Sequence, residues 1–209
     1  MKQIIILISI IAISFILLSF IKKNKKMKIY NITDDLLKHD TKSYSKRNLN
    51  QIDTIVVHHS ATETGTAESY ARYHVNNRDW AGIGYHFVID QDGKINQTNE
   101  LDTISYHASN WNTRSIGICL TGNYDNQILN GNNLDSLVYL IKKLKLDLKK
   151  ELNIIGHRDV ANKSCPGNNI SIELIKKLTE WNSMRIEKHY FVIDTFEVFL
   201  RTLYLNNLN

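Results

Sequence analysis

The chain has 209 residues, 43% hydrophobic and 22% charged, ordinary for a folded domain with one appended segment; this excludes wholesale disorder. Its formal net charge of +5 is local, because residues 1–28 hold six lysines and no acid, leaving 20 basic against 21 acidic side chains elsewhere. A domain without its own cationic footprint argues against nucleic acid as a partner, and two cysteines, Cys119 and Cys165, are too few for a disulfide scaffold.

Ile4 to Ile21 is an uncharged run of isoleucine, leucine and a few small or aromatic residues. As a helix it would be about 27 Å long, close to the hydrocarbon thickness of a bilayer. It exceeds the apolar core of a cleavable signal and runs into Lys22-Lys23 where a small-residue cleavage site would stand, so residues 1–28 are read as a single N-terminal transmembrane anchor with a basic flank. Lysine bias alone would put the following domain in the cytoplasm. Residues 29–50, mostly polar, read as a tether.

From Gln51 the pattern is that of a folded domain, extending to residue 185. Ile52–Val57 is a β-branched strand ending in His58-His59, and Thr66 caps a helix over about 67–78 with Glu68 in its first turn. Gly84–Asp90 predicts a strand, Gln91–Lys94 a hairpin turn and Lys94–Thr98 its return strand. Ser115–Thr121 predicts another buried strand, with Cys119 as a small core residue. Leu134, Leu137, Val138, Ile141, Leu144 and Leu148 recur at helical spacing, predicting an amphipathic helix over 133–150. Ile154-Ile155 leads into a loop holding His157 and Cys165, and Ser171 to about Glu187 predicts a last amphipathic helix. Residues 186–209 form an aromatic-rich extension that reads equally as helix or strand. Strands and helices mix without strict alternation, so the expected fold is mixed α/β, a central mixed β-sheet flanked by helices.

His157 and Cys165 lie eight apart in one loop, and imidazole and thiolate are both good zinc ligands. A third ligand is available at the end of the first strand, in either His58 or His59. Three protein ligands leave the fourth tetrahedral position open, the catalytic arrangement. His86 reads as structural, His74 as surface or core, Trp80 and Trp111 as packing residues able to stack on a sugar face, and Asp159 and Arg158 as candidates to fix His157.

In order along the chain, VVHHSAT (56–62), GYHFVIDQDG (84–93), SYHASNWNTRSIGICLTGN (105–123) and GHRDVANKSCPG (156–167) resemble the zinc-dependent N-acetylmuramoyl-L-alanine amidases, a family that includes amidase-type phage lysozymes and peptidoglycan recognition proteins. The resemblance covers residues 51–180 and implies zinc in a surface groove held by His58, His157 and Cys165. It also implies a catalytic Tyr85, a Lys163 needed for amide cleavage, and His107 lining the substrate groove; Trp111 and Arg114 are further substrate-binding candidates, Arg114 for a stem-peptide carboxylate. The implied reaction is hydrolysis of the bond between N-acetylmuramic acid and L-alanine by a zinc-activated water, with Zn2+ as cofactor and peptidoglycan as partner. A monomer anchored through its N-terminal helix, with the catalytic domain facing the cell wall, is the expected setting. The alternatives are a peptidoglycan-binding module without activity, which in this family lacks the cysteine ligand, and a cytoplasmic muropeptide-recycling amidase, whose members carry aspartate where Cys165 stands.

Overall fold

The computed structural model describes residues 27–180. Its centre is one six-stranded mixed sheet built from β1 (Ile29–Asn31), β2 (Thr54–His59), β3 (Phe87–Ile89), β4 (Ile95–Gln97), β5 (Ser115–Leu120) and β6 (Asn153–Gly156), in the order β1-β4-β3-β5-β2-β6. Within it only the β3–β4 hairpin is antiparallel; β1–β4, β3–β5, β5–β2 and β2–β6 are parallel pairs. β2 and β5 are buried along their whole length, which explains why both read as unbroken apolar runs rather than as alternating patterns.

Among the described residues, three α-helices pack with this sheet: α1 (Ala67–Arg78), α2 (Gly131–Leu148) and α3 (Ile172–Glu180). Thr66 begins α1, its hydroxyl accepting from the Ser69 N–H while Ser69 Oγ accepts from the Thr66 N–H. The aliphatic stripe of α2, with Leu134, Leu137, Val138, Ile141 and Leu144, joins Ile175 and Leu178 of α3 against Ile55, Val57, Phe87, Ile89, Ile116, Ile118, Leu120 and Ile154 of the sheet. This cluster is the main core.

The tether expected over residues 29–50 is folded into the domain. Ile29 pairs with Ile95 and Asn31 with Gln97, making β1 the sheet's edge, and Leu36 is buried. Arg47 is buried among carbonyls: Nε donates to Leu101 O at 2.9 Å, and Nη1 donates to Asn112 O at 2.8 Å and Ser115 O at 2.6 Å. A buried cation needs such a cage, and here it ties this segment to the loop before β5. The composition of residues 29–50 concealed this, because backbone pairing and one buried arginine leave no hydrophobic pattern.

The N-terminal helix expected over Ile4–Ile21, the C-terminal extension 186–209 and the last turns expected of the final helix lie outside the described residues. Among the described residues, no helix is long and apolar enough to cross a membrane.

Candidate active site

The pleat of β2 separates its two histidines. Alternate residues of a strand face opposite sides, and Ile55 and Val57 join the helix-covered core while Val56 packs on the other face with Ala108 and Ile155. His58 follows Val56 onto that second face. The next ring, His59, turns to Tyr124, whose N–H it accepts through Nδ1 at 3.1 Å. Parallel pairing then supplies the second imidazole: Val57 pairs with Gly156, so the residues that follow on β2 and β6 are neighbours, and the rings of His58 and His157 lie 4.5 Å apart between centroids. Both stand at the carboxyl ends of parallel strands, where open α/β sheets place their ligands.

The loop after β6 returns Cys165 to the same point. Arg158 N–H donates to Cys165 O at 2.6 Å, and its guanidinium donates to Gly167 O at 2.6 Å and Ile170 O at 3.1 Å. Asp159 accepts from Gly156 N–H at 2.8 Å. These two residues therefore brace the loop backbone rather than the His157 ring. Gly167 has φ +104°, and a Cβ there would stand 2.4 Å from the Tyr124 carbonyl carbon, so this turn requires glycine. The Cys165 sulfur accepts from His59 N–H at 3.4 Å and lies 3.7 Å from His58 Nδ1.

One ligand atom each from His58, His157 and Cys165 lie within 4.8 Å of one another. Zinc bonds of about 2.3 Å to sulfur and about 2.0 Å to nitrogen in a tetrahedron put such atoms roughly 3.5 Å apart, so this donor set fits a zinc ion. Its ionisation fits as well. Burial, then Lys163 and His59, lowers the His157 imidazole to about 4; burial, then His107 and His157, holds His58 well below its usual value, so both offer lone pairs at neutral pH. Burial pushes the Cys165 thiol up to about 11, opposed by the His59 N–H and the Lys163 charge, so a metal taking this sulfur would displace its proton.

These residues line a groove of about 860 Å³ that also includes Tyr85, His107 and Lys163. The Tyr85 ring sits 5.3 Å from that of His58, its phenol pushed up by burial and its carbonyl held by Thr98 and Asn99 side chains at 2.8 and 2.6 Å. Lys163 has no ion-pair partner among the described residues. His107 is buried in the groove floor, its Nδ1 3.1 Å from His58 Nε2. Trp111 and Arg114 are not part of the groove lining: Trp111 packs beside Val56, Ala108 and Ile155, and Arg114 is ion-paired with Asp53 and lies over the Trp111 ring at 5.0 Å. Trp80 does line it, stacked on His74 at 4.8 Å.

Sequence reading missed the outer wall. Tyr70, Tyr73, His74 and Arg78 of α1 line the groove, at i, i+3, i+4 and i+8. That spacing is one helical face, and it escaped notice because the face is aromatic and polar rather than aliphatic.

The family model for N-acetylmuramoyl-L-alanine amidase matches residues 48–168. The chain belongs to that amidase family. Among solved structures, the N-acetylmuramoyl-L-alanine amidase LysC of Clostridium intestinale URNW is 28% identical, with TM-score 0.63 over 74% of this chain and 99% of that one. Two others share the fold: bumblebee peptidoglycan recognition protein SA, 23% identical with TM-score 0.64 over 75% of this chain and 96% of that one, and the endolysin of Thermus scotoductus bacteriophage Ph2119, 22% identical with TM-score 0.63 over 73% and 99%. No curated protein matches the chain significantly. The expected setting, a membrane-anchored domain facing the cell wall, is corrected by these findings: the amidase's structural relatives are endolysins and recognition proteins, and no described helix could cross a membrane.

Proposed function

We propose that this amidase hydrolyses the amide between N-acetylmuramic acid and the L-alanine of the peptidoglycan stem peptide, with zinc held by His58, His157 and Cys165. The observation that carries the reading is the convergence of those three donors within 4.8 Å in a groove that also presents Lys163 and Tyr85. When bound, zinc supplies Lewis acidity, bringing water towards ionisation at about pH 7 and polarising a carbonyl.

The chain's own residues do the rest. The Lys163 ammonium, which has no ion-pair partner among the described residues, stabilises the negative charge that develops on the scissile carbonyl oxygen. Tyr85, kept protonated by burial, donates its hydroxyl hydrogen to the attacking water or to the tetrahedral centre. Cys165, presented by the Arg158-braced loop, gives its thiol proton to solvent as the metal loads. Trp80 and the α1 face shield one side of the groove from bulk water.

The test is mass spectrometry of peptidoglycan digested with the full chain. The expected products are stem peptides with a free L-alanyl amino terminus and glycan carrying intact lactyl carboxylates; cleavage within the peptide or the glycan would refute the bond assignment. The likeness to recognition proteins supports a second reading, binding without cleavage, which predicts retention on peptidoglycan with no new amino termini.

A further inference from the structure

Hydrogen bonds behind His58 run in one direction only. The Ser115 hydroxyl lies 2.6 Å from the Trp111 carbonyl, which can only accept, so the single hydroxyl proton is committed there. Ser115 Oγ is 3.4 Å from His107 Nε2. With its own proton given to Trp111, this hydroxyl faces Nε2 as an acceptor, so Nε2 carries the His107 proton. His107 Nδ1 is then a bare lone pair, and its partner at 3.1 Å, His58 Nε2, must be the donor. That leaves His58 Nδ1 without a proton, 3.7 Å from Cys165 Sγ.

We propose that His107 is a positioning residue: together with Ser115 and the Trp111 carbonyl it holds His58 as the Nε2–H tautomer and aims the Nδ1 lone pair at the point shared with Cys165 and His157. The inference rests on the reading of His58 as a metal ligand. A ligating histidine whose second nitrogen is fixed by a hydrogen bond keeps its tautomer and orientation without the metal, which raises affinity by removing the ordering step.

Two features place His107 for this work. A Cβ at Gly117 would stand 2.6 Å from His107 Cγ, so only glycine lets the imidazole lie against β5. Asn112 Oδ1 accepts from the backbone N–H groups of His107 at 3.0 Å and Ala108 at 2.7 Å, fixing the loop that carries the ring. Above the ordinary imidazole value of about 6.5 each ring carries one proton, as the directional argument requires.

The test is a long-range proton–nitrogen correlation spectrum of the metal-free full chain, with zinc affinity measured by competition against a chromophoric chelator. In the wild-type protein His58 should carry its proton on Nε2. His107→Leu should give a mixture of His58 tautomers and a zinc Kd raised about ten- to a hundredfold. His107→Gln, whose carboxamide oxygen can accept from His58 Nε2, should recover most of both. A wild-type His58 protonated on Nδ1 would overturn the proposal, as would a His107→Leu protein with unchanged tautomer and zinc affinity. If the wild-type chain bound no zinc, the metal reading would fall, while the metal-free spectrum would still decide the tautomer. Should His107→Leu fail to fold, the wild-type spectrum and His107→Gln still decide it.

Discussion

The two faces of the sheet are built from the same strands and do opposite things. On the helix-covered face, Ile55, Val57, Ile116, Ile118 and Leu120 meet the stripes of α2 and α3 in an aliphatic core, with His59 at the end of β2 turned to Tyr124 on the same side. On the groove face the alternate positions of the same strands are Val56, His58, Ser115, Gly117 and Cys119, small or polar, with His86 and His107 packed over them. One residue of pleat therefore separates a position chosen for volume from one chosen for chemistry. Stability and catalysis should fail independently when the two faces are altered.

The largest effect is expected at the ligands. Cys165→Ser should reduce zinc binding and amide hydrolysis together, by more than about a hundredfold in rate, while the far-ultraviolet circular dichroism of the protein stays unchanged. Lys163→Ala should separate the two properties: zinc content stays at the wild-type level, and kcat falls by roughly a hundred- to a thousandfold, as when one charge-stabilising donor is removed. A fully active Lys163→Ala protein would remove Lys163 from the chemistry.

Leu137→Ala makes the opposite cut. Leu137 is fully buried on the helix face, so a cavity there should cost about 2–5 kcal/mol in urea unfolding while the folded protein keeps its kcat. A loss of turnover without a loss of stability would mean that the faces are coupled.

Most of the fold could be read from the chain because its elements carry local signals. The Thr66 cap, the α2 stripe, the turn at Gln91–Lys94 and the two apolar strands all appear where their patterns put them. What stayed illegible depends on contacts between distant segments. Residue types alone left His58 and His59 open, with the family resemblance pointing to His58; what separates them physically is the pleat of β2 against its neighbours, and β1 is visible only through its pairing with β4. Trp111 and Arg114 sit inside a motif, and motif membership does not say which way a side chain faces; Asp53, distant in sequence, takes Arg114. The groove wall on α1 escaped because its spacing is carried by tyrosine, histidine and arginine.

The faces should also differ in their response to acid. Burial lowers His74 to about 4, with Arg78 adding to the effect, and burial holds His86 well below its usual value. Below the unfolded value of about 6.5 the unfolded chain binds protons that these folded imidazoles refuse, so their contribution to stability is present above that pH and is lost as pH falls from about 6.5 towards 4. Melting temperature should therefore drop over that interval, and less steeply in His74→Gln, whose side chain can still accept from the Gly84 N–H. An identical slope in the two proteins would exclude His74 as a contributor.

The smallest effect is expected at Arg114. Its ion pair with Asp53 is exposed, so Arg114→Gln should leave the melting temperature, and KM for peptidoglycan fragments, unchanged. A several-fold rise in KM would return Arg114 to the substrate.

The most direct test of a zinc amidase on the groove face is a zinc titration of the chelator-stripped full chain, following bound metal and the release of L-alanine amino termini from purified peptidoglycan in the same samples. Release should rise in step with zinc, saturate at one ion per chain, and be absent from Cys165→Ser at every zinc concentration. Release that persists after chelation, or a chain that binds one zinc and releases nothing, would contradict it.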